Sequence, residues 1–373
     1  MDNKKIAFLC DYKSYYGGNF IPSLMALEKK VLESDIQCLY ILPKAANDRY
    51  WVHYLIDSGR EVVFFDSNVG RIDFIKRLDR IVKQYNIAIL HVHFGNVLNS
   101  EIYSYLNKSV KVIIHLHSDF TGGRKSFRER INNYAIYHIL SKHTKFISVS
   151  RDFLKYNKEK TTWIPNALAT ERIPCTHKNG RDLRLELGIK DSDILCEIFA
   201  WSPRIKGVDI AVQAIKNLRD SGNKRIYLAI VCGREYTKEK MKEYIRANTD
   251  LTSDEPYLLF LQPIEDVFSY HEAAYIMISS SRSEGFSYSI LEMLSIGKPC
   301  VVSNIPGTAW SQKYPVVYPF VSENVTDCAK AIKNAIEKLS EKPLLNIEEL
   351  IREEYSINKW VEAVVKCYDL EKM

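Results

Sequence analysis

The chain has 373 residues, of which 46% are hydrophobic and 26% charged, and its formal net charge is +6. The length predicts two domains, each large enough for its own core, and the composition is typical of a globular enzyme. No apolar run approaches the roughly 20 residues of a membrane-spanning helix. The run 6–10 is too short for a signal peptide, so we expect neither kind of segment.

Eight cysteines are scattered along the sequence without a Cys-x-x-Cys motif, and no two histidines have the spacing of a zinc site. We therefore expect reduced thiols in a cytoplasmic protein. An Asp-x-Asp motif spans Asp191 to Asp193, a pattern that can hold a metal on a diphosphate. Here it precedes a strand, so we interpret it as a turn and expect no metal and no cofactor.

Basic charge is concentrated in the first half of the chain. Residues 1–170 contain 25 Lys and Arg against 16 Asp and Glu, a net charge of +9, and the remainder has −3. Within 124–160, ten basic residues meet three acidic ones. This segment is either a solvated helix face or a surface for anionic lipids, which attract each basic residue by about 1 kcal/mol. We favour an anionic membrane surface over nucleic acid, because no nucleic-acid motif accompanies the charge.

Short apolar runs alternate with amphipathic segments between residues 5 and 149, which predicts a doubly wound parallel sheet. Strands are predicted at 5–10, 36–42, 61–65, 87–92, 111–116 and 145–149, and helices near 20–33, 71–85, 97–106 and 125–141. Ligands of such sheets bind beyond the carboxyl ends of the strands. Polar residues and glycines at those ends are therefore candidates for a site.

Three such positions occur in this half. Gly17 and Gly18 follow the first strand, where the missing side chains admit a phosphate or sugar to the backbone. Two His-x-His motifs end at His93 and His117, and strand alternation places both histidines of each motif on one side. Structural histidines bonded to backbone are the alternative. Two pairs at neighbouring strand ends favour a polar cleft.

A polar stretch at 170–182 separates a second alternating series. Strands are predicted at 194–200, 226–232, 257–261, 275–280 and 300–303, and helices near 207–220, 237–247, 287–296 and 324–339. The predicted fold is α/β, with two doubly wound Rossmann-like domains that face each other across a cleft. Such a cleft is a usual location for a small-molecule site.

A basic loop follows the first strand of the second domain and opens a helix. Arg204 could bind a diphosphate through two parallel hydrogen bonds, and Lys206 could do so as a point charge. An ordinary solvated loop is the alternative.

The stretch 281–299 has the pattern of a loop and a short helix between two strands. Ser287 is a suitable N-cap, and Gly297 followed by proline ends the helix. Glu284 precedes the helix and Glu292 lies on it. A helix N-terminus attracts phosphate, and ionised glutamates accept hydrogen bonds from hydroxyl pairs. A nucleotide-sugar offers both groups, and a capped surface loop with solvated glutamates is the alternative.

These motifs resemble those of the retaining glycosyltransferases of family 4, which have the GT-B fold. The most specific is the segment from Glu284 to Glu292 with its trailing Gly-Lys-Pro, which looks like the family's Glu-x7-Glu signature. The segment 355–368 is similar to the family's last helix, which crosses back to the first domain. The resemblance implies a first, acceptor-side domain of residues 1–172 with 355–373, and a donor-binding domain of residues 180–354.

The resemblance also implies roles for the donor-side residues. Glu284 would contact hydroxyls of the transferred sugar, and Glu292 would hold the ribose. Lys206, with Arg204, would neutralise the leaving diphosphate. Backbone groups that meet the sugar and the diphosphate would come from three consecutive residues: Gly285, Phe286 and Ser287.

On the other domain, His117 would lie beside the donor sugar, and Gly17 and Gly18 beside the phosphates or the acceptor. His93 and Asn166, the latter in an Ile-Pro-Asn motif that matches the family, are candidates on the acceptor side. The chain departs from the family's pattern in a few places. Trp201 and its predecessor stand where an arginine is usual, so Arg204 is assigned by proximity. The remaining departures are Ser287, Ala167 and the segment Ile305 to Thr308.

The sequence thus predicts a retaining, metal-independent glycosyltransferase that moves a sugar from a nucleotide diphosphate sugar, with UDP-sugars favoured, to a glycan or lipid-linked acceptor. The expected setting is capsular, exopolysaccharide or lipopolysaccharide synthesis at the inner face of the cell membrane. A GT-B sugar-nucleotide epimerase and a non-catalytic nucleotide- or glycan-binding protein are the alternatives. Hydrolase, ATPase and dehydrogenase motifs do not occur in the sequence.

Overall fold

The computed structural model describes residues 4–66, 71–94, 110–117, 144–151, 154, 158–169, 171–233, 236–251, 255–341 and 346–372. The helices predicted near 97–106 and 125–141 lie outside these residues. The chain divides into two compact units. The first comprises Met1–Ile173 and Tyr355–Met373, and the second comprises Pro174–Glu354.

The first unit contains a parallel sheet, whose strands within the described residues follow the order β3-β2-β1-β4-β5-β6-β7. These strands are β1 (Lys5–Cys10), β2 (Gln37–Pro43), β3 (Val62–Phe65), β4 (Ile87–His93), β5 (Lys111–Leu116), β6 (Thr144–Ser148) and β7 (Thr161–Trp163). The helices are α1 (Phe20–Leu32), α2 (Tyr50–Asp57), α3 (Arg71–Gln84) and, from the end of the chain, α12 (Ile357–Tyr368), with 3₁₀ turns at Lys44–Ala46 and Leu370–Lys372. The six predicted strands are confirmed to within one residue.

Each face of this sheet is covered by an apolar layer. Helices α1, α2 and α12 cover one face, where Phe8, Trp51 and Tyr368 are among the largest fully buried side chains. Helix α3 contributes Leu78 and Val82 to the layer on the other face. Burial on both faces explains why the strands read as nearly continuous hydrophobic runs.

The second unit contains another parallel sheet, in the order β10-β9-β8-β11-β12-β13 among the described residues. The strands are β8 (Ile194–Ala200), β9 (Ile226–Cys232), β10 (Leu258–Leu261), β11 (Ile276–Ser279), β12 (Cys300–Ser303) and β13 (Val317–Phe320). The helices are α4 (Gly180–Glu186), α5 (Pro203–Lys206), α6 (Val208–Asp220), α7 (Lys238–Asn248), α8 (Phe268–Ala273), α9 (Tyr288–Leu294), α10 (Val325–Glu337) and α11 (Ile347–Glu354), with a 3₁₀ turn at Ala309–Ser311.

Both sheets reverse their strand order at one point. The reversal lies between β1 and β4 in the first unit and between β8 and β11 in the second. Chain segments that leave adjacent strands in opposite directions open a crevice beyond the carboxyl ends, which is where open α/β sheets bind ligands. The loops after these four strands are therefore the positions at which a site is expected.

No helix in the described part of the chain combines the length and the apolarity that crossing a membrane requires. All eight cysteines lie among the described residues, and none of them forms a disulfide. Asp191 and its neighbours form the predicted turn before β8, in which the Asp193 carboxylate accepts a hydrogen bond from the Lys190 amide at 3.0 Å.

Candidate active site

Lys206 and Glu284 meet at the reversal point of the second sheet. The chain leaves β8 and forms the single turn of α5, which ends with Lys206, and it leaves β11 into the loop that carries Glu284. The Lys206 ammonium forms a salt bridge with Oε1 of Glu284. The two side chains are only 11% and 12% exposed. A shielded pair of this kind interacts more strongly than one in open solvent.

The backbone holds the two loops together through Gly207 and Ser280. Gly207 has a φ of +64°, and a Cβ at this position would lie 2.0 Å from the carbonyl oxygen of Ser280. The Ser280 hydroxyl lies within hydrogen-bond distance of the carbonyl oxygens of Lys206 and Gly207, at 3.1 and 2.7 Å. Only glycine fits this contact, which explains the Lys-Gly dipeptide.

Two serines and a second glycine contact the Glu284 loop and hold it in place. The Ser281 hydroxyl donates to Oε1 of Glu284 at 2.9 Å, and the Ser303 hydroxyl donates to the Ser281 carbonyl at 2.6 Å. A Cβ on Gly307 would lie 2.0 Å from the carbonyl oxygen of Glu284. The segment after β12 is therefore packed directly against the loop.

Helix α9 begins as predicted. The Ser287 hydroxyl accepts a hydrogen bond from the Ile290 amide at 3.5 Å and caps the helix. Phe286 is buried, and its ring stacks on that of Trp310 at 4.2 Å with the planes 12° apart. Gly285 is buried beside them, and Glu292 is buried on the helix. These contacts fix the backbone between the two glutamates.

The arginine that forms ion pairs in this site is Arg282, and not the predicted Arg204. Arg204 is exposed, and its carbonyl accepts a hydrogen bond from Arg282 at 2.7 Å. Arg282 also pairs with Asp209 at 2.7 Å and with Glu323 at 2.7 Å. Burial raises the pKa of Asp209, but hydrogen bonds from Arg282 and Tyr244 outweigh it, so the pKa is lowered. The sequence reasoning missed Arg282.

Trp201 occupies the position at which the family's arginine is usual. Its side chain is 58% exposed, and the Lys206 ammonium lies 5.5 Å from the centre of its ring. Its backbone is held close to Gly233, where a Cβ would lie 2.6 Å from the Trp201 Cα. The loop thus presents an aromatic face beside the lysine, in place of a second cation.

In the first unit, Gly17 and Gly18 lie between β1 and α1. Gly17 is buried, and a Cβ there would lie 2.5 Å from the Ile173 side chain and 3.3 Å from that of Trp51. Gly18 has a φ of +55° and is partly exposed. Gly17 is therefore closely packed, and Gly18 is the more exposed of the two.

The four histidines at the carboxyl ends of β4 and β5 form one stack, of which His91, His93 and His115 are buried. His91 and His93 have ring centres 4.0 Å apart, and His115 and His117 have centres 4.4 Å apart. Nδ1 of His91 lies 2.7 Å from the Tyr368 hydroxyl, and Nδ1 of His93 lies 3.0 Å from Nε2 of His117. The predicted placement of each pair on one side is confirmed.

Burial lowers the pKa of every histidine in this stack, to about 3 for His91 and His117, because a charge there is poorly solvated. Nitrogens of His91, His93 and His115 lie within 4.8 Å of one another. However, the rings of His91 and His115 are stacked with their planes 10° apart. Imidazole binds a metal in its ring plane, so parallel rings do not direct their lone pairs to one ion.

His93 is fully buried in this stack and presents no surface to an acceptor, whereas His117 at the strand end is partly exposed. Asn166 is also buried. The Asn19 side chain accepts a hydrogen bond from the Ala169 amide at 2.8 Å and ties that loop to the start of α1. The basic residues of 124–143, including Arg124, Lys125 and Arg128, lie outside the described residues.

A second group of ionisable residues lies beside α9. The sequence patterns did not predict it. The buried His271 contacts Glu197 at 2.5 Å and faces Glu292 at 3.6 Å. Glu197 is a lone acidic residue within the apolar strand β8, and that position is the sequence signal which could have found the group.

Two family models match successive parts of the chain. The model described as Glycosyltransferase Family 4 matches residues 37–172, and the model described as Glycosyl transferases group 1 matches residues 196–340. Together they cover about three quarters of the sequence. An O-antigen biosynthesis glycosyltransferase of Escherichia coli, WclY, is 27% identical over 132 residues, which are 35% of this chain and 35% of the relative.

Solved structures share the whole fold at lower identity. The Anabaena protein HepE in complex with UDP-glucose superposes with a TM-score of 0.76 at 16% identity, over 99% of this chain and 100% of that chain. A glycosyltransferase from Rickettsia africae has a TM-score of 0.74 at 16% identity, over 98% of both chains. The fold is that of the GT-B glycosyltransferases. The two family matches and the shared fold together support a GT-B glycosyltransferase of the family 4 type.

Proposed function

We propose that the protein transfers a sugar, with retention of configuration, from a nucleoside diphosphate sugar to a glycan or lipid-linked acceptor. UDP-sugars are the proposed donors, and no metal takes part. The observation that carries the proposal is the salt bridge between Lys206 and Glu284 at the sheet's reversal point. It puts a cation for a diphosphate and an acceptor for sugar hydroxyls at one place.

The proposed chemistry follows from these two groups. When the bond between the anomeric carbon and the diphosphate oxygen breaks, negative charge grows on the leaving diphosphate. Lys206 neutralises that charge, and removing one such interaction typically costs about 3 kcal/mol in the transition state. Glu284 accepts hydrogen bonds from hydroxyls of the sugar and fixes the anomeric carbon beside the lysine. His117, Arg204 and the backbone of Gly285 to Ser287 keep the roles that the resemblance implies.

The nucleotide preference rests on related proteins. HepE was solved with UDP and with UDP-glucose, and its fold is shared by this chain. Glu292 would bind the ribose of the donor, as the resemblance implies. A thermal-shift screen of UDP, GDP and ADP tests the preference, because ligand stabilisation grows with the ratio of concentration to Kd. A larger shift with GDP or ADP would overturn the assignment of UDP.

Release of nucleoside diphosphate tests the reaction. With a suitable acceptor, we expect Lys206→Gln to lower kcat on the order of a hundredfold, while Lys224→Gln, an exposed lysine of the same unit, retains it. An epimerase would convert the donor without acceptor, and a binding protein would convert nothing. The anomeric configuration of the product, read by NMR, tests retention, and activity in excess EDTA tests metal independence.

The proposed setting is surface-polysaccharide assembly at the inner face of the cell membrane. The E. coli relative is an O-antigen glycosyltransferase, although only about a third of its length is matched. The net charge of +9 over residues 1–170 supports attachment to anionic lipids. Charge reversal at Arg124, Lys125 and Arg128 should reduce sedimentation with phosphatidylglycerol vesicles. Undiminished sedimentation would remove the membrane proposal and leave the transferase proposal intact.

A further inference from the structure

Three ionisable side chains form a buried row that ends on helix α9. Glu197 on β8, His271 on α8 and Glu292 on α9 are all buried. Nδ1 of His271 lies 2.5 Å from Oε1 of Glu197, a charge-assisted hydrogen bond. Nε2 lies 3.6 Å from Oε2 of Glu292, which is an ion-pair distance. The imidazole is therefore hydrogen-bonded to Glu197 and lies within ion-pair distance, but beyond hydrogen-bond distance, of Glu292.

The two carboxylates favour the protonated form of the ring between them. Burial alone would lower the pKa of His271, but the neighbouring Glu197 and Glu292 outweigh it and raise the pKa to about 9. This is the reverse of the histidine stack in the first unit.

Neighbouring side chains pack against the His271 ring and anchor helix α8. The rings of Phe199 and Phe268 pack against the imidazole at 5.2 and 5.7 Å. The Lys298 ammonium donates to the carbonyls of His271, Glu272 and Ala274 at 2.9, 2.6 and 2.7 Å. A cation on the last carbonyls stabilises the end of a helix. The lysine of the Gly-Lys-Pro segment thus anchors the helix that carries the histidine.

Burial of ionic groups does not by itself indicate a role in stability. Buried ion pairs lose solvation, and replacing them with apolar side chains of similar size is often neutral or stabilising. A row that ends on Glu292 has another use, because it fixes the direction of that carboxylate. A carboxylate that binds two vicinal hydroxyls must be held in one orientation.

We propose that Glu197 and His271 are positioning residues for donor binding: they orient Glu292 toward the ribose hydroxyls of the nucleotide. This inference rests on the proposed function, in which Glu292 binds the ribose. It predicts that loss of the row weakens the ribose contact and leaves the diphosphate contact unchanged.

The experiment compares two ligands by calorimetry, UDP and 2′,3′-dideoxy-UDP, which lacks both ribose hydroxyls. The ratio of their Kd values measures the ribose contact. We expect a ratio of tenfold or more for the wild type and a ratio near one for Glu292→Gln. The double variant Glu197→Gln/His271→Gln removes both hydrogen-bonded partners together and takes the imidazole away from Glu292. Its ratio should fall at least threefold, with the Kd of dideoxy-UDP within twofold of wild type.

Two further variants are needed, one as a control and one as a substitute for the double variant. Lys338→Gln/Glu341→Gln removes an exposed ion pair of the same unit, 2.7 Å apart, and should keep the wild-type ratio. Glu197→Leu/His271→Phe replaces the row with apolar groups beside Phe199 and Phe268, and serves if the glutamine pair does not fold.

The outcomes separate the two proposals. A folded double variant with the wild-type ratio, or with equal loss of both ligands, overturns the positioning role alone. If the wild type binds neither ligand, or binds both equally, the ribose role of Glu292 fails and the inference falls with it. A parallel measurement with the active enzyme should show KM for the donor rising while kcat changes less than threefold.

Discussion

Lys206 and Glu284 neutralise each other within a shielded site, and each is proposed to bind a different part of the donor. A bound diphosphate sugar would pair its phosphates with the lysine and its hydroxyls with the glutamate. Each charge then exchanges one partner for another, and neither is left alone in a poorly solvated place. Removal of one partner leaves an uncompensated charge, so a single variant at either position measures more than one lost contact.

The residue types of the site could be predicted from the sequence, but their pairing could not. The spacing of Glu284 and Glu292 indicated two acceptors near a helix start. The partners of Arg282 and His271 lie more than 70 residues away, at Asp209 and Glu197. Local patterns contain no information about such contacts, which arise only when β8 and β11 become neighbours in the sheet.

Gly307 offers a test of the backbone contact behind Glu284. We expect Gly307→Ala to push the Glu284 carbonyl away, because a Cβ would lie 2.0 Å from its oxygen. Nucleoside diphosphate release should fall at least tenfold, with a loss of about 1–3 kcal/mol in the free energy of unfolding.

Gly188→Ala is the matched control. No atom lies within 4 Å of a Cβ at that position, although its φ is +69°. This substitution should cost about 1 kcal/mol of stability and leave the reaction rate unchanged. If both variants retain full activity, the packing of the 305–308 segment has no role in holding Glu284.

At the scale of elements, β4 and β5 show that a local sequence pattern does not predict which face of a strand is buried. Alternation correctly placed the histidines of each pair on one side, and their polarity indicated a cleft. In the structure His91, His93 and His115 are buried. The residues beside them are Tyr368 and Trp360 from α12, which is distant in sequence. Which strand face is covered depends on that helix.

The element boundaries were largely predictable because buried parallel strands are continuous apolar runs. The strands of the second sheet were predicted to within one residue, with the exception of β13 (Val317–Phe320), which was not predicted. Short elements such as β7 and α8 were also missed. A segment of three to six residues contains too few positions to show a period. Those short elements nevertheless matter, since α8 carries His271.

The histidine stack predicts acid sensitivity of the first unit. The pKa values of these histidines are lower in the folded chain than the ordinary 6.5, so the unfolded chain binds protons first as pH falls. Stability is therefore fully present above about pH 6.5 and is lost below it, by about 1.4 kcal/mol per pH unit for each such histidine. Urea unfolding between pH 7 and 5, followed by hydrogen exchange in β4 and β5, measures this slope.

His115→Phe should reduce the slope by one histidine, because the ring stack is kept and the titrating group is removed. His53→Phe changes an exposed histidine of the same unit and should leave the slope as it is. Equal slopes in all three proteins would mean that the buried histidines titrate normally.

At the scale of the whole molecule, the two units repeat one strand order but are built differently along the chain. The second unit is continuous, from Pro174 to Glu354, whereas the first is completed by Tyr355–Met373. Helix α12 contributes Trp360, Val361 and Val364 to the core of the first unit. The Asp369 carboxylate binds Lys111 at 2.7 Å and Lys145 at 2.8 Å, which fastens the end of the helix to β5 and β6.

Trp360→Ala tests this dependence. We expect a loss of about 3–5 kcal/mol in the first unit, because a large buried side chain leaves a cavity. Hydrogen exchange should accelerate in β1, β4 and β5 and stay unchanged in β8, β11 and β12. Lys366→Ala, an exposed position on the same helix, is the control and should change neither unit. Equal acceleration in both units would show that they unfold as one.

The discontinuous first unit also constrains the order of events during synthesis. Domains usually fold as they leave the ribosome, the first one first. Here the whole of the second unit is translated before α12 exists, the helix that contacts His91 and shares a core layer with Phe8 and Ile113. The part of the first sheet that α12 covers therefore stays open while roughly 180 further residues are added. At about 5–20 residues per second, that interval lasts about 10–40 seconds, long enough for a chaperone to bind the open face.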